Sequence, residues 1–286
     1  MNILIFGHTG MLGNALKQHW KNKHHLVGIS RKRLQQSNIE SHTWDDLDDI
    51  LTKQKFDVAI NLCGETIGQP WHKFSRKKIE SSRIETTKKI VNAISTLPIH
   101  LINASGIGIY DSVSHLNETR FDEKTPVLKS NGFLQTLAYE WEKEAIKHQT
   151  TTLLRTAVVF KKDDGVLKKL LMGKQIKVLT QLGSGNNPFP WISIEDWSRA
   201  VDLVVSKKIL GPINLTSPEI STYNDIMNIF CTKTSSMKIT MPDFVVKTLF
   251  GEMGESLFLT GTAALPKKLL DMGFEFNNYN VSSIDI

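Results

Sequence analysis

Short apolar runs punctuate the first half of the chain, and each gives way to a glycine or a polar stretch. The first, Asn2–Phe6 (NILIF), stops at Gly7 and predicts a buried strand. Apolar residues at 11, 12, 15, 16 and 20 then repeat with the spacing of one helical face. His25–Ser30 (HLVGIS) predicts a second strand, 45–51 a short helix and 56–62 (FDVAINL) a further strand. One long polar-rich helix is predicted over 75–97, a strand over 99–104 (IHLINA), a helix over 131–148 and a strand over 152–160 (TLLRTAVVF). Strands and helices alternate. This rhythm predicts an α/β fold: a doubly wound parallel sheet with helical crossovers on both faces.

After Phe160 the rhythm breaks. A polar turn (161–165), a short helix (166–172) and a loop dense in Gly, Asn and Pro (182–190, LGSGNNPFP) follow. Residues 191–194 are apolar again, 195–205 predict a helix and 210–216 (LGPINLT) a short strand. Short helices are predicted over 222–231, 243–250 and 253–260. No internal repeat is present. The expected division is a first domain over 1–160, with segments near 191–216 returning to it. A smaller, partly helical lobe is expected from 161–190 and 217–286.

Composition narrows the class. Hydrophobic residues make up 40% of the 286 and charged residues 22%, as in a folded globular chain. Lys and Arg exceed Asp and Glu by six, but the basic doublets at 77–78, 88–89, 168–169, 207–208 and 267–268 are scattered and not interleaved with aromatics. They read as solvated surface, so no nucleic-acid partner is expected. Two cysteines, Cys63 and Cys231, are too few for a disulfide framework or a Cys-rich zinc site. The nine histidines show no HxxxH or HExxH spacing, so no metal is expected, and no GxSxG follows a strand. No apolar stretch approaches the roughly 20 residues that span a bilayer, and the opening MNILIFG has no basic flank or cleavage site. A cytoplasmic protein without a membrane partner is the expectation.

The first chemical signal is Gly7-His8-Thr9-Gly10-Met11-Leu12-Gly13, a GxxGxxG between a predicted strand and a predicted helix. Gly7 would permit a tight turn, Gly10 would let the backbone approach a pyrophosphate, and Gly13 would let helix and strand pack closely. The helix N-terminus, with Thr9, Met11 and Leu12 around it, would add free N–H groups and partial positive charge. The end of the second strand selects the dinucleotide. An NAD site places a carboxylate there for the ribose 2′-hydroxyl. This chain has Ser30-Arg31-Lys32-Arg33, which suits the 2′-phosphate of NADP, with Arg31 the main contact and Ser30 a helper.

Further motifs carry a family resemblance. They are Asn61 to Glu65 (NLCGE), Trp71 with Lys78 and Ile79, Ser82-Arg83-Ile84 with Thr87, and Ala104 to Tyr110 (ASGIGIY). Trp141-Glu142, Leu154 to Val159 (LRTAVV), Leu182 to Gly185 (LGSG), Trp191-Ile192 with Asp196, Gly211 to Thr216 (GPINLT) and Leu269 to Phe274 (LLDMGF) continue the pattern. Across about residues 1–276 the chain resembles the extended, atypical branch of the short-chain dehydrogenase/reductase superfamily. Within it, the likeness is to the NAD(P)-binding sugar-nucleotide epimerase-like group, sometimes labelled cell-division inhibitors. The resemblance implies a Rossmann domain that binds NADP and a C-terminal substrate lobe. It also implies that Leu62, Cys63 and Gly64 lie along the adenosine ribose and phosphates. Cys63 stands where the family more often has Ala, and reads as a small buried apolar residue.

Reductases and epimerases of the superfamily typically use a Ser and a Tyr-x-x-x-Lys pair to move a proton while hydride moves at the cofactor. Ser105 matches the serine position. Tyr139 and Lys143 spell YxxxK literally, but the family register, anchored at Phe133-Leu134 and Trp141-Glu142, places the catalytic slots near Leu134 and Ala138. YxxxK is therefore read as a surface coincidence. Ser105 and Tyr110 are the catalytic candidates, with Glu65, Arg83 and Trp191 in the substrate pocket. Arg83 could clamp an anionic substrate or pair with Glu65; Trp191 could floor the pocket or pack in the core. His8 is read as a loop residue near the phosphates, not a catalyst, and Asp196 as structural. Two functions are carried forward. One is an NADP-binding oxidoreductase or epimerase-like enzyme acting on a small or nucleotide-linked carbonyl or hydroxyl substrate. The other is an NADP-binding sensor or regulator without turnover. The expected partner is a small-molecule substrate, with a homo-oligomer possible.

Overall fold

The computed structural model describes residues 1–32, 39–112, 120–129 and 132–286. Its first half is built from β1 (Asn2–Phe6), α1 (Met11–His19), β2 (His25–Ser30), β3 (Glu40–Thr43), α2 (Leu47–Lys53), β4 (Val58–Asn61), α3 (Lys73–Ser81), α4 (Ile84–Ile94), β5 (His100–Gly106), α5 (Phe133–Ala145) and β6 (Thr151–Thr156). These are followed by β7 (Val158–Lys161), α6 (Gly165–Leu170), β8 (Val178–Leu182), β9 (Trp191–Ser193), α7 (Ile194–Lys207), β10 (Gly211–Leu215), α8 (Tyr223–Thr234), β11 (Met237–Met241), α9 (Asp243–Gly254) and α10 (Lys267–Asp271).

Among the described residues, seven strands form one sheet in the order β10-β6-β5-β4-β1-β2-β3. Every pairing within it is parallel. Alternation of side chains explains its two covered faces. Ile3 and Ile5 of β1 join a core with Leu16 of α1, with Trp20 at its C-terminal end, and with Trp197, Val201 and Val204 of α7. Leu4 and Phe6 join a second core with Ile90, Val91 and Ile94 of α4. The strand order reverses between β1 and β4, so a crevice opens outside their carboxyl ends.

A second lobe has its own aromatic core. Phe160, Phe189, Trp191, Tyr223 and Phe230 pack together, with Phe160 stacked 5.5 Å from Trp191 and Phe189 5.0 Å from Tyr223. Two small parallel sheets, β7–β9 and β8–β11, belong to this half of the chain. β10 returns to the large sheet beside β6.

Several elements differ from the sequence expectation. The single helix over 75–97 is two helices, interrupted at Ser82 and Arg83. Ser82 Oγ donates back to Ile79 O at 2.9 Å, and Arg83 N–H reaches Glu80 O instead of continuing the helical ladder. The strand over 152–160 is also divided. Ala157 N–H still donates to Leu215 O of β10, but Val158 N–H turns to Pro190 O, so the chain changes sheets there. β3 (ESHT) carries no apolar run and escapes a hydrophobic reading because it is a sheet edge. β8 and β11 pair with each other at residues far apart in sequence. α9 runs four residues past its expected end through a kink at Gly251 (φ 55°, ψ −143°), and Glu255–Leu259 continues as a π-helical turn.

Candidate functional site

The crevice begins at the turn from β1 into α1. Gly7 has φ +78°, and a Cβ there would stand 3.0 Å from the Leu62 carbonyl. Glycine is required both by the left-handed backbone and by the approach of the β4 loop. A Cβ at Gly13 would meet His8 Cα at 2.6 Å, which makes that glycine the close-packing one. Gly10 caps α1 with no side-chain bond; it and Thr9 are exposed, and Met11 and Leu12 are half-buried. The first N–H groups of α1 have no intrahelical partner and open toward the crevice mouth. His8 points away from it. Its ring is fully buried against Gly28, where a Cβ would meet the ring at 2.5 Å. Burial, helped by Lys17, pushes its pKa down to about 4, so the ring is neutral near pH 7.

At the end of β2, Ser30 Oγ donates to Lys32 O at 2.6 Å, while Arg31 and Lys32 are exposed. Arg33, the last residue of the basic run, lies outside the described residues. The Arg31 charge reaches Cys63 across the crevice: burial drives the Cys63 thiol up to about 12, with Arg31 opposing. Cys63 is therefore a protonated thiol and no nucleophile.

The loop after β4 is tied at several points. Leu62 N–H donates to Phe6 O at 3.0 Å, and Cys63 N–H to Asn61 Oδ1 at 3.1 Å. Asn61 in turn donates to Thr87 Oγ1 and Asn103 Oδ1. Glu65 N–H donates to Ser82 Oγ. The Glu65 carboxylate pairs with Lys78 at 3.3 Å, and Arg83 takes the Glu65 main-chain oxygen at 2.9 Å. The Glu65–Arg83 carboxylate pair expected as one option is thus replaced by a pair with Lys78.

The other end of the crevice is filled with side-chain bonds. Ser105, near the carboxyl end of β5, donates to Glu142 Oε1 at 2.7 Å. Glu142 on α5 receives Arg155 twice, at 2.9 and 2.8 Å. Arg155 Nη1 donates to Tyr110 Oη at 2.8 Å, and Tyr110 donates to Asn214 Oδ1 at 2.9 Å. Asn214 N–H then reaches Glu123 Oε1. Ser105, Tyr110, Glu142, Arg155 and Asn214 are all buried. Burial raises the Tyr110 pKa against the pull of Arg155, so the phenol keeps its proton.

α5 presents Leu134, Ala138 and Glu142 at four-residue spacing. Leu134 packs beside Gly108, Ala138 joins the cluster of Ile107 and Tyr110, and Glu142 meets Ser105. Tyr139 and Lys143 do not join this network: Lys143 has a 61% exposed side chain and approaches Glu140 at 3.8 Å. Trp191 is fully buried in the second-lobe core, stacked on Phe160, with no surface left for a substrate. Of the two roles expected for it, its surroundings are those of core packing. Asp196, fully buried, accepts the N–H groups of Asn277 and Asn278 and pairs with Arg199. It ties down the C-terminal segment. Sequence reasoning missed Glu142, Arg155 and Asn214 as chemistry. Each stood inside a recognised motif (WE, LRTAVV, GPINLT), and a charged residue in a buried strand such as Arg155 was the available signal.

The second lobe touches the first beside the glycine turn and the loop after β4. Met11 Sδ lies 3.2 Å from the Cβ position of Gly165, and Lys169 Nζ 3.5 Å from that of Gly68. Arg76 on α3 and Glu252 on α9 form an ion pair at 2.5 Å between the lobes.

A parallel sheet with a glycine turn at its switch point, opening onto a helix N-terminus, defines a protein of the Rossmann type. Comparison with known proteins gives the family. Residues 3–215 match the model of the NAD dependent epimerase/dehydratase family, and the chain belongs to that family. Residues 241–282 match a domain of unknown function, DUF1731. The epimerase family protein YfhF of Bacillus subtilis is 30% identical, covering 96% of this chain and 94% of YfhF. An epimerase family protein of Mycobacterium leprae is 29% identical over 98% of this chain and 92% of its own. The crystal structure of human epimerase family protein SDR39U1 (isoform 2) with NADPH superposes with a TM-score of 0.88 at 25% identity, covering 99% of this chain and 97% of that one. UDP-N-acetylglucosamine 4-epimerase from Bacillus cereus shares the fold, with a TM-score of 0.75 at 15% identity over 99% of this chain and 96% of that one. No helix among the described residues is long and apolar enough to cross a membrane.

Proposed function

We propose that the chain binds NADP(H) with its phosphates on the Gly7–Gly13 turn and its 2′-phosphate at Arg31, and acts as a dinucleotide-holding sensor or regulator. The residues fit the group. Gly10 leaves the helix mouth bare, Gly7 brings the β4 loop alongside, and the end of β2 carries cations and no carboxylate over residues 30–32. When bound, the dinucleotide would supply hydride transfer. The human relative with NADPH supports the choice of ligand.

One observation carries the reading without turnover: Ser105 donates its proton to the buried Glu142–Arg155 pair. Tyr110 is held between Arg155 and Asn214. The slots at Leu134 and Ala138 hold no proton carrier. An NADP(H)-dependent oxidoreductase or epimerase on a small or nucleotide-linked carbonyl or hydroxyl substrate is the second reading. It is favoured by the charged groups where the lobes meet, the Glu65–Lys78 pair and Lys169. In that reading Ser105 and Tyr110 are the polar groups left to serve a substrate.

Titration of NADPH and NADH by fluorescence on wild type and Arg31→Ala tests the ligand. Loss of NADPH affinity by about tenfold or more with NADH unchanged is expected. Equal weakening of both would sink the 2′-phosphate reading. NADPH oxidation against a carbonyl panel separates the two functions, and turnover that disappears in Ser105→Ala would establish the enzyme.

A further inference from the structure

The interruption between α3 and α4 has a counterpart in the loop after β4, which it touches directly. Both main-chain groups of Glu65 are held there: its N–H by Ser82 Oγ at 2.9 Å, and its carbonyl by Arg83 Nη1 at 2.9 Å. Arg83 also donates to Ile79 O, and its guanidinium lies over the Trp141 ring, 5.2 Å from the centroid. The Trp141 indole donates to Thr87 Oγ1, which also receives Asn61 Nδ2. Asn61 holds Cys63 N–H, at the start of the same loop. Between the two anchors stands Gly64, where a Cβ would lie 3.0 Å from Arg83 Cζ. The guanidinium fills the space a side chain would take.

We propose that Ser82 and Arg83 are positioning residues that clamp the loop Leu62-Cys63-Gly64-Glu65 against the dinucleotide. They set affinity for the part that NAD and NADP share, without touching the ligand. This rests on the reading that the loop borders the cofactor. A continuous helix over 75–97 would carry these two side chains along its own surface; the interruption turns them onto Glu65.

The test is a set of titrations with NADPH and NADH on wild type, Ser82→Ala, Arg83→Gln, Arg83→Lys and Arg31→Ala. Ser82→Ala and Arg83→Gln are expected to raise Kd for both dinucleotides by a common factor, about tenfold for the charged donor and less for the hydroxyl. Arg83→Lys, which keeps a cation able to reach the carbonyl, recovers part of the loss. Arg31→Ala acts on NADPH alone. Gly64→Ala should weaken binding in the wild-type background and cost nothing more when Arg83 is already Ala, because the clash is then gone. If Ser82→Ala binds as wild type while Arg83→Gln does not, Arg83 touches the ligand and the clamp is overturned. Unchanged affinities in both variants overturn it as well. Should Arg83→Gln fail to fold, Ser82→Ala decides alone: equal weakening for both dinucleotides supports the clamp, and wild-type affinity overturns it. Wild type that binds neither dinucleotide refutes the cofactor reading itself, and the clamp with it.

Discussion

The two ends of the crevice are built on opposite principles. At the glycine turn the working groups are largely main chain, the bare N–H groups of α1 beside exposed Thr9 and Gly10, joined by one exposed side chain, Arg31. At the β5 end they are side chains, and they already bond one another from Ser105 through Glu142, Arg155 and Tyr110 to Asn214. The first end offers donors to a ligand. The second has used them within the protein, so its geometry is fixed before any ligand arrives. Such a network is stable only when complete, since each buried member left alone loses its solvation without recompense.

This contrast can be broken experimentally. The largest effect is expected from Glu142→Ala, which strands Arg155 with a 6% exposed side chain and no carboxylate. Removal of one partner of a buried pair costs about 3–5 kcal/mol. Urea unfolding measures it, and a loss under about 1 kcal/mol, the scale of an exposed pair, would mean that the network is not structural.

A smaller effect separates the other end by pH. The His8 pKa is lowered from 6.5 to about 4, so between those values the unfolded chain binds the proton and the folded one does not. Stability contributed by the neutral ring is fully present above about pH 6.5 and is lost as pH falls toward 4. His24 and His100 are shifted in the same direction by burial. His8→Gln should flatten the acid limb of the stability profile in part, and an unaltered limb would contradict the buried neutral ring.

The smallest effect is expected at the literal YxxxK. Tyr139→Phe, at a half-buried position outside the Ser105 network, should leave NADPH affinity unchanged and stability within about 0.5 kcal/mol. A loss of turnover on any substrate found would restore that pair to catalysis.

How much was legible follows from the same contrast. The glycine motif is contiguous, seven residues running from the end of one strand into the first turn of a helix, and local spacing reveals it. The sheet was legible because buried parallel strands are apolar runs. The Ser105 network draws on residues 105, 110, 142, 155 and 214, brought together by pairings such as Ser105 with Arg155 in β5–β6 register. No local pattern announces that a strand arginine will meet a helix glutamate. The break at Ser82 and Arg83 was invisible for a related reason: both residues are tolerated in a helix, and only the distant Glu65 main chain turns them elsewhere. Trp191 was ambiguous because a tryptophan after a Pro-rich turn serves a pocket or a core equally well in sequence.

β7 gives the molecule one more property. Val159 belongs to the core beneath the large sheet, and the adjacent Phe160 to the aromatic core of the second lobe. Neighbouring residues of a single short strand therefore serve two interiors. A graft that replaced the second lobe wholesale would have to keep this strand's alternation intact, because a one-residue slip exchanges the two faces.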